Sequence, residues 1–235
     1  FAQSDYVDAL SYSSAHTIIH SYEAINIDLK SSEEIDSFCL FFDPLTKSNF
    51  SSSAVLRLQA NATPSWTSPA VDVALELDEK RDVISYFFKE PQEFRFWRIY
   101  IEDSKNFDGY VEIGSVFLSK ALQLSRAPDS AFEVEYVDQS NVVTNDYGHI
   151  YVDEFPIRRK MTFNYSVLKY EDVEKLEQLY LRVSSKRPIV VALDPLEKQF
   201  DKDQFVLFGY LDKTLVQTHI ITNFYKTDLK VIEAL

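Results

Sequence analysis

The chain is poor in the residue types on which phosphate-binding loops, disulfide frameworks and metal sites depend. Its 235 residues include only four glycines, four histidines and one cysteine, Cys39. Four scattered glycines cannot build the glycine-rich loops that hold nucleotide phosphates, so a dinucleotide fingerprint and a Walker A loop are excluded. A single cysteine excludes an intrachain disulfide framework and a cysteine-cluster zinc site. We therefore expect no cofactor and no bound metal.

Basic residues and long apolar runs are scarce as well. Lys and Arg number 24 against 37 Asp and Glu, which gives a formal net charge of −13. Phosphate backbones repel such a chain, so nucleic acid is not an expected partner. No apolar run approaches the roughly 20 residues that span a bilayer, and no signal-peptide pattern is present, so direct membrane insertion is not expected. The composition, 46% hydrophobic and 26% charged, is that of a soluble globular protein.

What the first half does have is a series of short, evenly spaced apolar segments. Several alternate with a period of two, as half-buried strands do, while 35–42 is a continuous run typical of a strand buried on both faces. The predicted strands are 24–29, 35–42, 54–60, 71–78, 84–88, 94–102 and 111–118. This spacing, with turn residues between the strands, predicts a β-sandwich or jelly roll.

A segment without periodicity at 120–130 separates the two halves, and we place a domain boundary there, giving domains 1–125 and 126–235. Most of the second half is again strand-like. One stretch instead has apolar residues at helical spacing, which predicts one main helix at about 170–184. These residues are Val173, Leu176, Leu179, Tyr180 and Val183. The predicted fold class is therefore mainly β, with an N-terminal sandwich and a C-terminal α+β domain.

Residues that could carry chemistry are better explained by structure. Asp43 and Asp194 each precede proline after an apolar run, which favours turn starters over a catalytic dyad. His16 and His20 have the spacing of metal ligands on a helix, but the β-branched residues between them favour a strand and an ordinary histidine pair. Cys39 lies within an apolar run, which favours a buried, inert thiol. No motif supports catalysis, and we do not expect an enzyme.

Two features keep both a structural and a binding interpretation. The basic cluster Arg158-Arg159-Lys160 either contacts an acidic patch on a partner or balances an acidic surface. In a strand, Arg158 and Lys160 face one way and Arg159 the other. Trp66, the only tryptophan in a predicted loop, is either an edge or interface residue of the sandwich or a glycan contact.

The most distinctive stretch is 94–118, which reads as a strand, a tight turn and a second strand. Trp97 alternates with Arg98, so the two should face opposite sides of the first strand. Gly109 can take the positive φ that the turn requires. Arg98 and Glu112 are expected to pair across the two strands of this hairpin. The motif residues are Trp97, Arg98, Asp103, Asn106, Asp108, Gly109, Tyr110, Glu112 and Gly114.

These motif residues resemble the closing hairpin of the discoidin-like (galactose-binding-like) β-sandwich found in bacteriophage tail proteins. The sequence departs from that pattern at Phe107, Ser115 and Ser119. The second half resembles the same proteins in the order of Arg158-Arg159, the predicted helix and the strand end at 190–195.

The resemblance implies a structural virion protein at the tail tip or baseplate that is assembled in the bacterial host cytoplasm. Its implied partners are other tail proteins of the tube, baseplate or fibres, and the implied assembly is a symmetric homo-oligomer. The alternative that the resemblance leaves open is a carbohydrate-binding module for host-surface glycans, because discoidin-like sandwiches often bind sugars. In that case Trp66 is the glycan contact.

Overall fold

A computed structural model describes residues 2–3, 22–42, 48–77, 83–129, 133–193 and 206–234. The chain forms two compact units, the first built on Ala2–Ala121 and the second on Leu122–Val191 and Leu207–Leu235. Within the described ranges, antiparallel strands dominate both units and Tyr170–Val183 is the one helix. The predicted mainly β fold with a single main helix is confirmed.

The first unit is one six-stranded antiparallel sheet with the order β1-β6-β2-β5-β3-β4. Its strands are β1 (Ala2–Gln3), β2 (Glu23–Phe41), β3 (Val55–Asn61), β4 (Val71–Leu75), β5 (Val83–Glu102) and β6 (Ser115–Ala121). Alternating and continuous apolar segments form these strands because one or both of their faces are buried.

The strands β2 and β5 each join two of the predicted strands, because the polar segments between the predicted strands remain in the sheet. The pairing of β2 with β5 shifts register between Asp28 and Glu33 and again between Ile35 and Ser37. At the first shift, the Lys30 N–H donates to Asp28 Oδ1 at 2.8 Å and Lys30 adopts a φ of 70°. A bulge of this kind bends a strand without ending it.

One hydrophobic cluster joins both halves of the bent sheet, which gives the first unit a sandwich-like arrangement. Trp97 and Ile99 are fully buried in it, whereas the alternate residue Arg98 faces outward, as the period of two predicts. Phe38, Cys39 and Leu40 are also buried, so the prediction of a strand buried on both faces is confirmed for this part of β2.

The predicted hairpin of 94–118 is wrong in its pairing. β2 lies between β5 and β6, so that Phe38 pairs with Tyr86 on one side and with Leu118 on the other. The apolar centre of β2 is buried on both faces and takes a partner strand on each edge, which leaves no edge at which β5 and β6 meet. The expected pair between Arg98 and Glu112 therefore does not form.

The second unit contains strands β7 (Glu133–Val137), β8 (Asn141–Thr144), β9 (Ile150–Asp153), β10 (Arg158–Lys169), β11 (Pro188–Ala192), β12 (Val206–Leu211), β13 (Val216–Ile221) and β14 (Phe224–Glu233), with helix α1 (Tyr170–Val183). Its main sheet has the order β11-β12-β14-β10-β7, and β13 pairs with β14 beside this row. β8 and β9 form a separate two-stranded sheet.

The helix α1 covers one face of the main sheet, against β10 and β14. Its apolar stripe and the alternate residues of β10, such as Met161 and Phe163, are buried. The predicted helix of about 170–184 is confirmed to within one residue. Asp172, in the first turn, is buried and accepts a hydrogen bond from the Ser125 N–H at 3.1 Å and another from the Ser125 hydroxyl. This contact ties the predicted boundary segment to the helix.

Candidate functional site

Five of the motif residues fix the shape of the loop between β5 and β6. Asn106 Nδ2 donates to the Tyr110 carbonyl at 3.0 Å, and Asn106 Oδ1 accepts from the Asp108 N–H at 2.9 Å. Asn49 Nδ2 donates to the same Tyr110 carbonyl at 2.8 Å, and Asn49 Oδ1 accepts from the Glu112 N–H at 2.9 Å. Gly109 has a φ of 72°, which confirms the predicted turn conformation. The hydrogen-bonding groups of these residues are used to hold the loop in its conformation.

Two further motif residues anchor the ends of the same loop, and a third, Trp97, lies in the core of β5. Asp103 accepts hydrogen bonds from the Ser51 N–H at 2.8 Å and the Ser51 hydroxyl at 2.5 Å. The Gly114 N–H donates to the Phe41 carbonyl at 2.9 Å, directly before β6 begins at Ser115. The buried Trp97 donates from Nε1 to the Phe94 carbonyl at 3.2 Å. Each of these motif residues thus has a structural role in this loop and core.

Arg98 is the motif residue whose side chain groups with aromatic rings on the outward face of the sheet. Its guanidinium lies over the Trp66 ring at 4.6 Å and over the Tyr100 ring at 5.4 Å. Tyr22 stacks on Tyr100 with ring centroids 5.2 Å apart. We call these four residues the aromatic–arginine cluster. It forms because Arg98 and Tyr100 both face outward from β5 and because the loop between β3 and β4 brings Trp66 across the sheet.

A row of polar side chains lies beside this cluster on the same face of the sheet and holds Arg98 in place. Gln59 Oε1 accepts from Arg98 Nε at 2.8 Å and from Arg98 Nη2 at 2.5 Å. Gln59 Nε2 in turn donates to Asp72 Oδ1 at 3.0 Å, and Arg57 Nε donates to the same oxygen at 2.7 Å. The row follows directly from the register, in which Gln59 is paired with Arg98 on β5 and with Asp72 on β4.

Three ionisable groups in and beside the cluster have pKa values that their surroundings shift. The hydrogen bond from Arg57 is the main reason that the pKa of the Asp72 carboxyl lies below its usual value. Burial lowers the pKa of the Arg98 guanidinium, which nevertheless stays charged at any ordinary pH. Burial also raises the pKa of Tyr100, assisted by its hydrogen bond to Glu102. Half-buried aromatic faces beside fixed donors and acceptors are suited to amphipathic ligands with ring faces and hydroxyl groups.

A second candidate site is the segment 138–157, which we call the arm. It connects β7 to β10 and consists of the β8–β9 hairpin and its flanks. Asn145 Oδ1 accepts the Tyr147 and His149 N–H groups at 3.0 and 2.9 Å and so fixes the turn. Every residue of β8 and β9 is exposed. The exposed apolar side chains of the arm are Val142, Val143, Tyr147, Ile150, Tyr151, Val152, Phe155 and Ile157.

The sequence predicts only part of this arm, because Ile150-Tyr151-Val152 has the apolar composition of a strand, whereas β8 is not predicted. The signal for β8 was present in the β-branched run Val142-Val143-Thr144, which is followed by the turn residues Asn145 and Gly148. The polar residues that hold Arg98 in place were also missed. Gln59 and Asp72 could be recognised only from the pairing of three strands, which sequence spacing does not give.

The basic cluster at the start of β10 divides as its alternation predicts. Arg159 donates from Nε to Glu233 Oε1 at 2.9 Å, and Lys160 Nζ lies 3.0 Å from Glu135 Oε2 on β7. Within the described part of the chain, Arg158 has no ion-pair partner, and its buried Nε has no hydrogen-bond partner. Two of the three cations therefore balance carboxylates of the same unit.

Asp43, Asp194, His16 and His20 lie outside the described residues. Across the described ranges, no three His, Cys, Asp or Glu side chains are grouped so as to hold a metal ion. No helix in those ranges has the length and hydropathy needed to cross a bilayer.

No protein-family model, curated protein or solved structure matches the chain.

Proposed function

We propose that this chain is a structural, non-enzymatic protein of a phage tail, at the tail tip or baseplate, where it joins neighbouring tail subunits. The proposal takes its biological setting from the resemblance of the 94–118 motif. The observation that carries its physical part is the arm, whose exposed apolar side chains have no cover from the chain itself within the described residues.

Two physical arguments connect the arm with assembly. A two-stranded hairpin is at best marginally stable in water without packing against something else. Contiguous exposed apolar surface is also uncommon on monomeric proteins and usually marks a site of interaction. The Tyr147 side chain at the tip is 88% exposed and Ile150 is 66% exposed, although both are of residue types that interfaces or cores normally bury.

Mass spectrometry of purified particles of the phage that encodes the chain tests this proposal. We expect the chain in the tail fraction, with cross-links from the arm to another tail protein. The cross-linker should react with carboxylates, because the arm contains four of them and no lysine. The absence of the chain from purified particles would contradict the proposal.

The role of the arm in assembly can also be tested genetically, with a matched pair of phage variants. Val142→Thr with Ile150→Thr removes apolar surface from the arm but keeps β-branched residues, so tails should lack the chain or lose infectivity. Leu181→Gln removes an equally exposed apolar side chain from α1 and should leave tails unchanged. Equal effects of the two changes would show that the arm has no particular role in assembly.

The aromatic–arginine cluster favours glycan binding as a second candidate function. Trp66 and Tyr22 offer ring faces, while Asp72 and Arg57, each about one-third exposed, offer hydrogen-bonding groups beside them. Stacking of sugar rings on such faces, with hydroxyl groups bonded to charged side chains, would explain why these types are held together on an outward face.

Tryptophan fluorescence tests this second candidate, since the chain has two tryptophans and Trp97 is fully buried. A glycan array would supply the ligands. Saturable binding that changes the emission and disappears in Trp66→Ala, but not in Phe107→Ala, would support a glycan site. Phe107 is the matched control because it is a fully exposed aromatic residue outside the cluster. Unchanged binding in Trp66→Ala would exclude the cluster as the site.

A further inference from the structure

The guanidinium of Arg98 is half-buried, yet it has no ion-pair partner within the described residues. The two hydrogen bonds that it donates, from Nε and Nη2, both go to the neutral amide oxygen of Gln59. The other terminal nitrogen, Nη1, donates to no group in the described part of the chain and is not buried. A partly buried charge costs free energy unless an opposite charge lies against it, so an anion at Nη1 would be stabilising.

The planar guanidinium leaves one edge open for such an anion. Gln59 Oε1 lies against the edge formed by Nε and Nη2. The next edge, formed by Nη1 and Nη2, carries two parallel N–H groups, which is the arrangement that matches two oxygen atoms of a carboxylate or phosphate group. The rings of Trp66 and Tyr100 lie against the guanidinium and limit its rotation. The direction of the open edge is therefore set before a ligand arrives.

Two carboxylates that share this face of the sheet with Arg98 already have ion-pair partners. Asp72 Oδ1 lies 2.7 Å from Arg57 Nε, and Asp28 Oδ1 lies 2.7 Å from Arg95 Nε. Asp72 attracts Arg98 at longer range, but the two do not form an ion pair. Neither carboxylate therefore replaces an anion at the open edge.

The rest of the surroundings of Arg98 carry little negative charge. Glu102 is a third carboxylate of this face, but it lies four residues from Arg98 along β5, which is about 13 Å, and it accepts a hydrogen bond from the Tyr100 hydroxyl at 3.1 Å. The segment 58–71, which includes the loop that carries Trp66, has no charged residue. Charges farther away than about 8 Å are largely screened at physiological ionic strength, so the net charge of −13 does not prevent an anion from binding here.

Asn26 and Tyr22 add the groups that a sugar would need beside the open edge. Asn26 pairs directly with Arg98 across β2 and β5, so their side chains share one face with Cβ atoms about 5 Å apart. The Asn26 side chain is exposed, and its amide makes no hydrogen bond within the described residues. Tyr22, which stacks on Tyr100, is 49% exposed and offers a ring face. A cation, an amide and an aromatic face thus lie together on one outward surface.

We propose that the aromatic–arginine cluster binds acidic saccharides. The anionic group accepts hydrogen bonds from the open edge of Arg98, the Asn26 amide bonds a neighbouring hydroxyl, and the sugar ring packs on the exposed aromatic faces. The inference rests on the second candidate function, glycan binding, and adds the class of sugar. Carboxylate, phosphate and sulfate substituents share the required chemistry, since each presents paired oxygen atoms with negative charge.

A glycan array tests the class of ligand on the whole 235-residue chain. The array carries neutral bacterial saccharides and saccharides with carboxylate, phosphate or sulfate groups. We expect binding to acidic saccharides only, and the substituent with the strongest signals identifies the anion. The strongest acidic saccharide is then titrated beside its neutral counterpart, in which the carboxyl is reduced to an alcohol or the phosphate or sulfate is removed. The neutral form should bind at least about tenfold more weakly, and acidic binding should weaken as salt rises.

Three variants locate the binding at Arg98. Asn26→Asp places a carboxylate beside the open edge at an exposed position, so the fold should be kept while affinity for the acidic saccharide falls about tenfold. Ser104→Asp adds the same charge at an exposed position in the loop between β5 and β6, and should leave the affinity unchanged. Arg98→Gln removes the cation and should abolish acidic binding, with circular dichroism to confirm that this variant folds.

The outcomes separate this inference from the functions proposed above. Equal binding of acidic and neutral saccharides, lost in Trp66→Ala, would overturn the acidic class and keep a glycan site at the cluster. Acidic binding that neither Asn26→Asp nor Arg98→Gln reduces would place the site elsewhere and overturn the inference. The absence of binding to every saccharide would overturn both the acidic class and the glycan candidate, while the tail role, which depends on the arm, would stand.

Discussion

The aromatic–arginine cluster and the arm present similar residue types in opposite ways. In the cluster, Trp66 and Tyr100 lie against the Arg98 guanidinium, which Gln59 holds in place. In the arm, Tyr147 and its apolar neighbours contact water. The comparison teaches that aromatic content alone does not identify an interface, because the same side chains can be covered by their own chain.

The largest expected effect of a single substitution is in the core beneath the cluster. Trp97→Ala should destabilise the first unit by about 3–5 kcal/mol, since it empties the centre of the hydrophobic core. Urea denaturation followed by circular dichroism measures the loss. Phe107→Ala, at a fully exposed aromatic residue, is the control and should have little effect. A loss below about 1 kcal/mol for Trp97→Ala would mean that the core is not as described.

The second effect tests the contact that fixes the boundary segment to α1. Asp172→Ala removes the buried acceptor of the Ser125 hydrogen bonds and should cost about 2–3 kcal/mol. Glu174→Ala, two residues along and exposed, is the matched control. Chemical denaturation of the two variants should separate them clearly, and equal stabilities would remove the structural role of Asp172.

The same carboxyl predicts a dependence on pH. Burial by itself raises the pKa of Asp172, but the hydrogen bonds from Ser125 and the Lys175 ammonium outweigh it and leave the pKa below its usual value. A group whose pKa is lowered by folding stabilises the protein above its unfolded pKa, here about 3.9. The difference in stability between wild type and Asp172→Ala should therefore be constant near neutral pH and shrink as the pH falls below about 4. A difference that grew on acidification would reverse this assignment.

A smaller effect sharpens the description of the cluster. Gln59→Ala leaves two donors of the half-buried Arg98 without their acceptor and should cost about 1–2 kcal/mol. It should also change the emission of Trp66, because Arg98 would no longer be held over the indole. Gln92→Ala, whose amide donates to the nearby Glu90 carbonyl at 2.9 Å, is the control in the same unit. Unchanged emission in Gln59→Ala would show that the cluster does not depend on this residue.

The smallest expected effect on stability is in the arm. Tyr147→Ser should change the free energy of unfolding by less than about 0.5 kcal/mol, because the side chain contacts little of its own chain. If denaturation instead shows a large loss for this variant, the arm is packed within its own subunit and the comparison with the cluster fails.

Sequence patterns within single segments predicted the features of the fold that depend on one segment alone. The helix at 170–184, the alternation around Trp97 and the buried run in β2 all follow from periodicity within one segment. The choice of strand partners does not, because an apolar strand such as β2 can pair with any other apolar strand. For this reason the hairpin of 94–118 was predicted with the wrong neighbour, and the contact of Arg98 with Gln59 was not predicted.

The arm shows a different limit of sequence reasoning. None of its strand residues is buried within the described chain, so hydrophobic periodicity could not separate an interface strand from a core strand. Val142 and Ile150 have the residue types of core positions, yet both are more than half exposed.

The position of β2 between β5 and β6 constrains the order in which the chain can fold. Phe38 in β2 can pair with Leu118 in β6 only after that strand has been synthesised, some eighty residues later. Until Ser115–Ala121 leaves the ribosome, one edge of this apolar strand has no neighbour and can pair with any other exposed strand. A nascent chain that stops before Ala121 is therefore prone to aggregate. Once β6 is complete, it pairs with the free edge of β2.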